Sequence, residues 1–247
     1  MNIKVAASYD EEKVLGVIDS FDELGKTYWK KRNTIKVFQI GEEQWNVKSF
    51  KVPHLINRFA YKYVRKSKAR RSFEHSEILI QKGILTPAPI GYVEYSATIG
   101  LTNSYYISQN LKYDFDFGAL LDKDFPDRDN ILNQFTVFTY QLHENDVHHF
   151  DHSKGNTLMC KTNSGLFDFY LIDLNRMKFE KMSYEKRIDN FNRLSLTPDM
   201  IQIVGKKYAS LIGQPEEKVI QDIAASCAKF HEFKARKSRL KSLIKGN

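Results

Sequence analysis

The stretch His149-Phe150-Asp151-His152-Ser153-Lys154-Gly155-Asn156, followed at residues 170–174 by Tyr-Leu-Ile-Asp-Leu, decides the fold of this chain. Asp151 and Asn156 fall in a polar loop, and Asp173 ends an apolar, β-prone run. Two such runs around a Gly-containing turn predict a hairpin after the loop. A loop followed by a tight hairpin brings a carboxylate, an amide oxygen and a second carboxylate together, and Mg²⁺ prefers oxygen ligands.

This order of residues resembles the catalytic and metal-binding segments of the protein kinase-like superfamily. The resemblance implies that Asp151 accepts or orients the substrate hydroxyl. It implies that Asn156 and Asp173 hold the Mg²⁺ of Mg-ATP, and that His149 is a scaffold residue of the loop. Three elements agree in order, spacing and strand context, which makes the pattern specific.

Two other metal interpretations account for less of the sequence. The histidines between 148 and 152, together with Asp151, offer imidazole and carboxylate ligands, but no Cys or Glu pattern completes a zinc set. The acids of residues 122–129 have a calcium-like spacing, yet Pro126 stands at the third ligand position and no Gly follows. These acids are better explained as a solvated helix entrance near the positive end of a helix dipole.

The first third of the chain is rich in predicted strands. Runs at 34–39 and 45–50 around Gly41 predict a hairpin. Further elements are a helix from Pro53, a helix over 68–82 that stops at Gly83, and strands over 91–95 and 104–108. Beyond residue 110 the pattern changes to a helix over 131–142, a loop over 144–156, the hairpin at 157–172, and helices from 183 onward.

Lys48 lies in the middle of a predicted strand, where a kinase-like enzyme places the lysine that holds the ATP phosphates. The helix over 68–82 offers Glu74 and Glu77 on neighbouring faces as the partner of that lysine. We favour Glu74, with Glu77 as the alternative. A Gly-rich phosphate loop is missing, and residues 25–33 (Gly-Lys-Thr-Tyr-Trp-Lys-Lys-Arg-Asn) stand in its place. Their basic side chains either cover the phosphates or are only solvated.

These elements predict an α+β, bilobal, protein kinase-like fold. Residues 1–110 form a small antiparallel-sheet lobe that binds ATP, and residues 111–247 form a larger helical catalytic lobe that ends in a basic helix. Several departures speak against an ordinary protein kinase. Ser153 replaces the expected Lys, no Gly follows Asp173 and Leu174, and no Ala-Pro-Glu occurs downstream. The RIO, aminoglycoside phosphotransferase and lipopolysaccharide kinase groups share these traits.

Residues 33–180 resemble the lipopolysaccharide kinase family, the bacterial kinases of inner-core Kdo and heptose. The segments that carry the resemblance are 47–51 (Val-Lys-Ser-Phe-Lys), 55–61, 66–69, 82–92 and the catalytic loop with Leu171-Ile172-Asp173. The resemblance implies ATP- and Mg²⁺-dependent phosphorylation of a sugar hydroxyl on a lipid A–core glycolipid. The chain after about residue 185 carries no motif that can be matched.

The chain is basic, with 38 Lys and Arg against 30 Asp and Glu, a formal net charge of +8. Nine bases and no acid lie between residues 48 and 71, and seven bases with one acid lie between 229 and 247. Basic amphipathic helices suit an anionic membrane surface, although core-facing stripes and solvated charges give the same pattern. Nucleic acid is the weaker interpretation, because no RRM, KH or zinc-finger signature is present.

Composition fits a folded protein, with 42% hydrophobic and 28% charged residues over 247 positions. No run approaches the ~18 apolar residues that span a bilayer, and the first residues lack a secretory apolar core. Only two cysteines are present, which suits a reducing cytosol. With the family resemblance, we expect a cytoplasmic protein, peripheral at the inner face of the bacterial cytoplasmic membrane.

Two alternatives keep the fold and change the function. One is a RIO-like atypical protein kinase or ATPase with a basic-patch partner such as RNA. The other is a nucleotide-binding regulator without catalysis, against which the intact Lys48, Asp151, Asn156 and Asp173 argue. The sequence leaves open the sugar, the hydroxyl and the oligomeric state.

Overall fold

The computed structural model describes residues 1–50, 66–98 and 100–245. The chain divides into two compact units: Met1–Lys112 with Asp173–Asn175, and Tyr113–Ile172 with Arg176–Asn247. The sequence placed Asp173 in the second lobe, whereas the structure groups it with the first unit. The helix expected from Pro53, and four of the nine bases of the run over 48–71, lie outside the described residues.

Within residues 1–50, 66–98 and 100–112, the first unit shows a six-stranded antiparallel sheet and two helices. Its strands follow the order β1-β5-β6-β4-β3-β2, with β3 paired to β4 as the predicted hairpin. The strands are β1 Asn2–Val5, β2 Lys26–Lys30, β3 Thr34–Ile40, β4 Glu43–Phe50, β5 Pro89–Ala97 and β6 Gly100–Gln109; the helices are α1 Glu11–Asp19 and α2 Lys68–Gln81.

Each face of this sheet carries its own hydrophobic cluster. On β4, Trp45 and Val47 are buried with residues of α1. Phe50 is buried with Phe73 of α2 on the other face. Lys48 shares that second face, because side chains alternate along a strand. The strand therefore presents Lys48 on the α2 side of the sheet.

As far as residue 245, where the described chain ends, the second unit combines short strands with four α-helices. Its strands are β7 Phe115–Asp116, β8 Val147–His149, β9 Thr157–Lys161, β10 Phe167–Leu171 and β11 Met177–Phe179. A 3₁₀ turn covers Phe117–Leu121, and the helices are α3 Arg128–Glu144, α4 Tyr184–Asp189, α5 Pro198–Ile212 and α6 Glu216–Lys245. The predicted hairpin at 157–172 is confirmed as β9 paired with β10, and β8 pairs with β11.

The long helix α6 has two different halves. Val219, Ile223 and Cys227 are buried in its first half, and α5 approaches it so closely that a Cβ on Gly205 would lie 2.6 Å from Ile220. Residues 231–240 are all exposed. Within the described residues, no helix combines the length and apolarity that crossing a membrane requires.

Candidate active site

Lys48 and Asp173 form an ion pair in the first unit. The Nζ atom of Lys48 lies 2.6 Å from Oδ1 of Asp173, and their side chains are 14% and 31% exposed. Asn175 donates a hydrogen bond from Nδ2 to the same oxygen, also at 2.6 Å. The strand lysine and the aspartate that follows β10 therefore meet, although 125 positions separate them in the chain.

Asp173 adopts a left-handed backbone conformation, with φ of 58°. That region costs a non-glycine residue on the order of 1 kcal/mol, and Asp and Asn tolerate it best. Residues held in such conformations cluster at functional sites, where the surrounding structure fixes them. Asp127, Asp146 and Ser195 adopt the same conformation without a role in this site, so the backbone of Asp173 describes its local geometry and the ion pair with Lys48 carries the functional argument.

A cluster of cations surrounds this ion pair. The ammonium groups of Lys48 and Lys68 lie 5.3 and 5.9 Å from the centroid of the Phe50 ring. Burial lowers the pKa of Lys68, the positive charges of Arg32, Arg71 and Lys48 lower it further, and Asp173 opposes the shift. So many cations around one carboxylate suit a polyphosphate ligand.

The structure corrects the expected partner of Lys48. Glu74 accepts hydrogen bonds from Lys66 at 2.8 Å and from Arg70 at 2.9 Å, and Glu77 pairs with Lys4 at 2.8 Å. Arg70 lies one helical turn before Glu74 on the same face of α2, so these two side chains pair with each other. Lys48 pairs with Asp173 instead.

Helix α2 reaches the Asp173 segment through the residue after Glu74. The Nδ1 atom of His75 lies 2.6 Å from the backbone oxygen of Leu174. Burial lowers the pKa of His75, which favours the neutral ring that donates through Nδ1–H. No sequence signal singled out His75, because its role depends on a carbonyl group 99 positions away.

His149 closes the loop that carries Asp151. Its Nδ1 accepts a hydrogen bond from the backbone N–H of Asp151 at 3.0 Å, and its Nε2–H donates to the oxygen of Ile172 at 3.1 Å. Asn156 donates from Nδ2 to the backbone oxygen of Asp151 at 2.8 Å. The backbone of Asn156 accepts from Ile172 N–H at 3.0 Å. These bonds fasten both ends of the loop to the residue before Asp173.

A buried chain of hydrogen bonds connects this loop to Tyr208 in α5. Tyr208 donates to Nδ1 of His143 at 2.7 Å, and Nε2–H of His143 donates to Oδ1 of Asn190 at 3.2 Å. Asn190 in turn donates to the backbone oxygen of His149 at 2.9 Å. Burial lowers the pKa of His143 to about 3, so the ring is neutral and this donor–acceptor assignment holds.

Two arginines flank the carboxylate of Asp151. An Nη1 atom of Arg193 lies 3.4 Å from Oδ1, and one of Arg176 lies 3.8 Å from Oδ2. Sequence reasoning missed both. Arg193 lies in the region without a recognisable motif, and Arg176 follows the Asp173 segment with nothing to distinguish it from a solvated base.

The histidines near Asp151 serve the fold. His152 is fully buried, stacks on Phe135 with ring centroids 5.5 Å apart, and has Nε2 at 3.3 Å from Thr139. His149 uses both ring nitrogens in the loop. Throughout residues 1–50, 66–98 and 100–245, no group of three or more His, Cys, Asp and Glu side chains is arranged to hold a metal ion.

Comparison with known proteins bears on the fold and the family. The model of the lipopolysaccharide kinase (Kdo/WaaP) family matches residues 19–214. The solved structure of WaaP in complex with acyl carrier protein matches with a TM-score of 0.63 at 16% identity, over 96% of this chain and 99% of that chain. A WbdD co-crystal structure with the kinase inhibitor LY294002 gives a TM-score of 0.47 at 12% identity, over 83% and 46%. No curated protein matches the sequence.

The WaaP match confirms the kinase-like fold. The family match extends beyond residues 33–180 at both ends and includes the position of Arg193. It covers well over half of the chain, which therefore belongs to the lipopolysaccharide kinase (Kdo/WaaP) family and is a kinase.

Proposed function

We propose that this kinase transfers the γ-phosphoryl group of Mg-ATP to a sugar hydroxyl, of Kdo or heptose, in the inner core of lipopolysaccharide. The observation that carries the proposal is the ion pair of Lys48 and Asp173, set among cations in a chain of this family. Positioning and electrostatic stabilisation are the main contributions that a protein makes to phosphoryl transfer.

Asn156 and Asp173 would hold Mg²⁺. Asn156 uses Nδ2 as a donor to the backbone of Asp151, so Oδ1 is the end of the amide that can act as a ligand. An amide oxygen and a carboxylate are the donor types that Mg²⁺ prefers, and Mg²⁺ takes few ligands from protein. When bound, the ion would neutralise charge on the phosphates.

Lys48 would bind the phosphates, and the cluster around it would add to its charge. Lys68 begins α2, and the charge of Arg32 from the turn between β2 and β3 acts on it. This turn occupies the place where a Gly-rich loop stands in protein kinases. We propose that these side chains supply electrostatically what backbone N–H groups supply in such a loop.

Asp151 would receive the proton of the acceptor hydroxyl. As that proton moves to the carboxylate, the hydroxyl oxygen forms a bond to the γ-phosphorus, and the bond between the γ-phosphorus and the bridging oxygen of ADP breaks. His149 and Asn156 hold the backbone of Asp151, so the carboxylate is presented from a fixed loop.

Mass spectrometry tests this function directly. The purified chain, Mg-ATP and a heptosylated Kdo–lipid A acceptor should yield an acceptor that is heavier by one phosphate. Lys186→Gln removes an exposed surface cation that pairs with Glu180 and should behave as wild type. If no acceptor of this class gains phosphate while ATP binds normally, the substrate assignment is wrong.

We also propose that the chain works at the inner face of the cytoplasmic membrane through the exposed half of α6. Phe233 and Leu240 are each 60% exposed, and the exposed bases beside them are Lys234, Arg236, Lys237 and Arg239. Each base near an anionic membrane contributes about 1 kcal/mol. Apolar side chains between such bases are typical of interfacial helices.

Vesicle sedimentation tests this localisation. The chain should bind anionic vesicles, release at high salt and ignore neutral vesicles. Substitution of those four bases by Gln should abolish binding, whereas Gln at the exposed Lys123, Lys161, Lys181 and Lys206 should not. The membrane proposal is wrong if the chain does not bind anionic vesicles but binds acyl carrier protein, which is the protein seen with WaaP.

A further inference from the structure

We propose that Arg176 and Arg193 form an anion subsite that binds an acidic group of the acceptor beside the hydroxyl that is phosphorylated. This inference rests on the proposed function and names the feature of the acceptor that the enzyme recognises. The shared chemistry is a carboxylate or a phosphate ester, either of which pairs well with guanidinium groups.

Each arginine makes a further contact besides the one to Asp151, through the backbone for Arg176 and through the guanidinium for Arg193. The backbone oxygen of Arg176 accepts a hydrogen bond from Phe150 N–H at 2.9 Å, which ties it to the residue before Asp151. The guanidinium of Arg193 lies 4.9 Å from the centroid of the Phe230 ring in α6. The two cations are therefore presented to the same carboxylate from independent parts of the second unit.

The N···O distances from the two arginines to Asp151 are longer than those of a close ion pair. Charge-assisted N–H···O bonds close to about 2.7–2.9 Å, whereas these contacts are 3.4 and 3.8 Å. The side chains of Arg193 and Arg176 are 38% and 57% exposed. Each guanidinium carries five N–H donors, so both can bind an incoming anion and keep their place near Asp151.

Another arginine of the same unit shows what a structural pair looks like. Arg128 is 7% exposed, reaches Asp199 at 2.7 Å and donates to the backbone oxygen of Leu120, also at 2.7 Å. Its contacts are short, and its side chain is enclosed. Arg176 and Arg193 combine long contacts with exposure, which is the arrangement expected of groups that await a ligand.

The position beside Asp151 limits where the anion lies on the acceptor. A group that takes a proton from the hydroxyl must come within about 3 Å of it. Arg193 and Arg176 lie beside the two oxygens of that carboxylate. The distance from their guanidinium groups to the hydroxyl is therefore no longer than the width of one sugar ring. The acidic group is on the phosphorylated sugar or its neighbour: a sugar carboxylate, or a phosphate already attached.

Steady-state kinetics test the subsite. Arg193→Gln and Arg176→Gln should each raise the KM for the acceptor about ten-fold or more, while the KM for ATP stays within about two-fold. Arg193→Lys should recover part of the loss, because it keeps the charge without the planar fork. Lys186→Gln is the control for loss of one exposed cation, and melting temperatures show that each variant is folded.

Modified acceptors identify the source of the anion. Wild type should lose affinity for the acceptor whose Kdo carboxyl is reduced to an alcohol, or for the acceptor treated with phosphatase. Arg193→Gln should no longer distinguish that acceptor from the unmodified one. A variant with unchanged acceptor KM, or one in which the KM values for acceptor and ATP rise equally, overturns the subsite.

Calorimetric titration of the acceptor without nucleotide separates this inference from the proposed function. If wild type transfers no phosphate but binds the acceptor through both arginines, the reaction is wrong and the subsite stands. If wild type transfers phosphate and both arginine variants bind the acceptor as tightly as wild type, the reaction stands and the subsite is wrong.

Discussion

At the scale of single residues, two substitutions at Asp173 separate the effect of its charge from the effect of its left-handed backbone conformation. Asp173→Asn removes the charge but keeps a residue type that tolerates this conformation. Asp173→Ala removes the charge and also introduces a residue type that tolerates the conformation less well. We expect both variants to lose at least about 100-fold in turnover, a loss typical of an electrostatic group. Urea denaturation should show Asp173→Ala to be about 1 kcal/mol less stable than Asp173→Asn. Equal stabilities would show that the backbone of Asp173 stores no strain.

Asp151 offers a second test, this time of the chemical step. Asp151→Asn keeps the size of the side chain and leaves its backbone contacts to His149 and Asn156 in place. Turnover should fall about 10²–10⁴-fold, as for loss of a general base. Fluorescence titration should show Mg-ATP binding within about two-fold of wild type. A large loss of Mg-ATP affinity would place Asp151 in nucleotide binding instead.

The sequence singled out Lys48 and the residues of a contiguous motif as site candidates, and it gave no signal for the two arginines beside Asp151. Asp151, Asn156 and Asp173 follow one another with a recognisable spacing, and the structure places Lys48 at Asp173. Arg193 reaches Asp151 from 42 positions away. That contact depends on where the chain leaves α4, which no local pattern encodes.

At the scale of elements, helix α2 connects to the Asp173 segment through His75 and not through Glu74. Removal of the bond from His75 to the oxygen of Leu174 should let that segment shift. We therefore expect His75→Ala to raise the KM for Mg-ATP about ten-fold, because a small displacement of Asp173 weakens its interactions with the bound nucleotide.

Glu74→Gln is the matched variant for that prediction. In the structure its carboxylate pairs with Lys66 and Arg70, and both pairs are partly exposed. Exposed pairs of this kind contribute little, so the KM for Mg-ATP should stay within about two-fold. A loss for Glu74→Gln that equals the loss for His75→Ala would restore the glutamate expected from sequence.

Elements with a strong local pattern were the predictable ones. The hairpins β3–β4 and β9–β10 show β-prone runs around a turn, and α2 ends before Gly83, whose φ of 71° suits glycine. Strands β1 and β8 were missed because each is short and pairs with a distant strand. Helix α1 did carry a signal: Asp10 caps it by accepting from Glu12 N–H at 2.7 Å.

At the scale of the whole molecule, the fold class followed from the change from strands to helices near residue 110, but the assignment of Asp173–Asn175 to the first unit did not. Lys48 and His75 of the first unit both bond to this segment. Sequence order places the segment in the second half of the chain, and no local pattern indicates partners that lie 125 and 99 positions away.

The stability of the whole molecule should depend on pH through the buried His143. Its pKa falls from 6.5 to about 3 in the folded chain because it is buried, and the charges of Arg187 and His148 also lower it. Since the folded pKa is depressed, the unfolded chain binds the extra proton below pH 6.5. Stability is therefore full above about pH 6.5 and is lost as pH falls toward 3, at roughly 1.4 kcal/mol per pH unit.

Between about pH 8 and pH 5, His143 alone should cost roughly 2 kcal/mol of unfolding free energy. The fully buried His152, whose pKa is also lowered by burial, should add to the loss in the same direction. Urea denaturation at both pH values, for wild type and for His143→Gln, measures the contribution. We expect the variant to be less stable than wild type at pH 8, because Tyr208 and Asn190 lose a well-placed partner, but to lose less unfolding free energy on acidification. If both proteins lose the same free energy between the two pH values, His143 is not neutral in the folded chain, and the donor–acceptor order that supports the Asp151 loop is wrong.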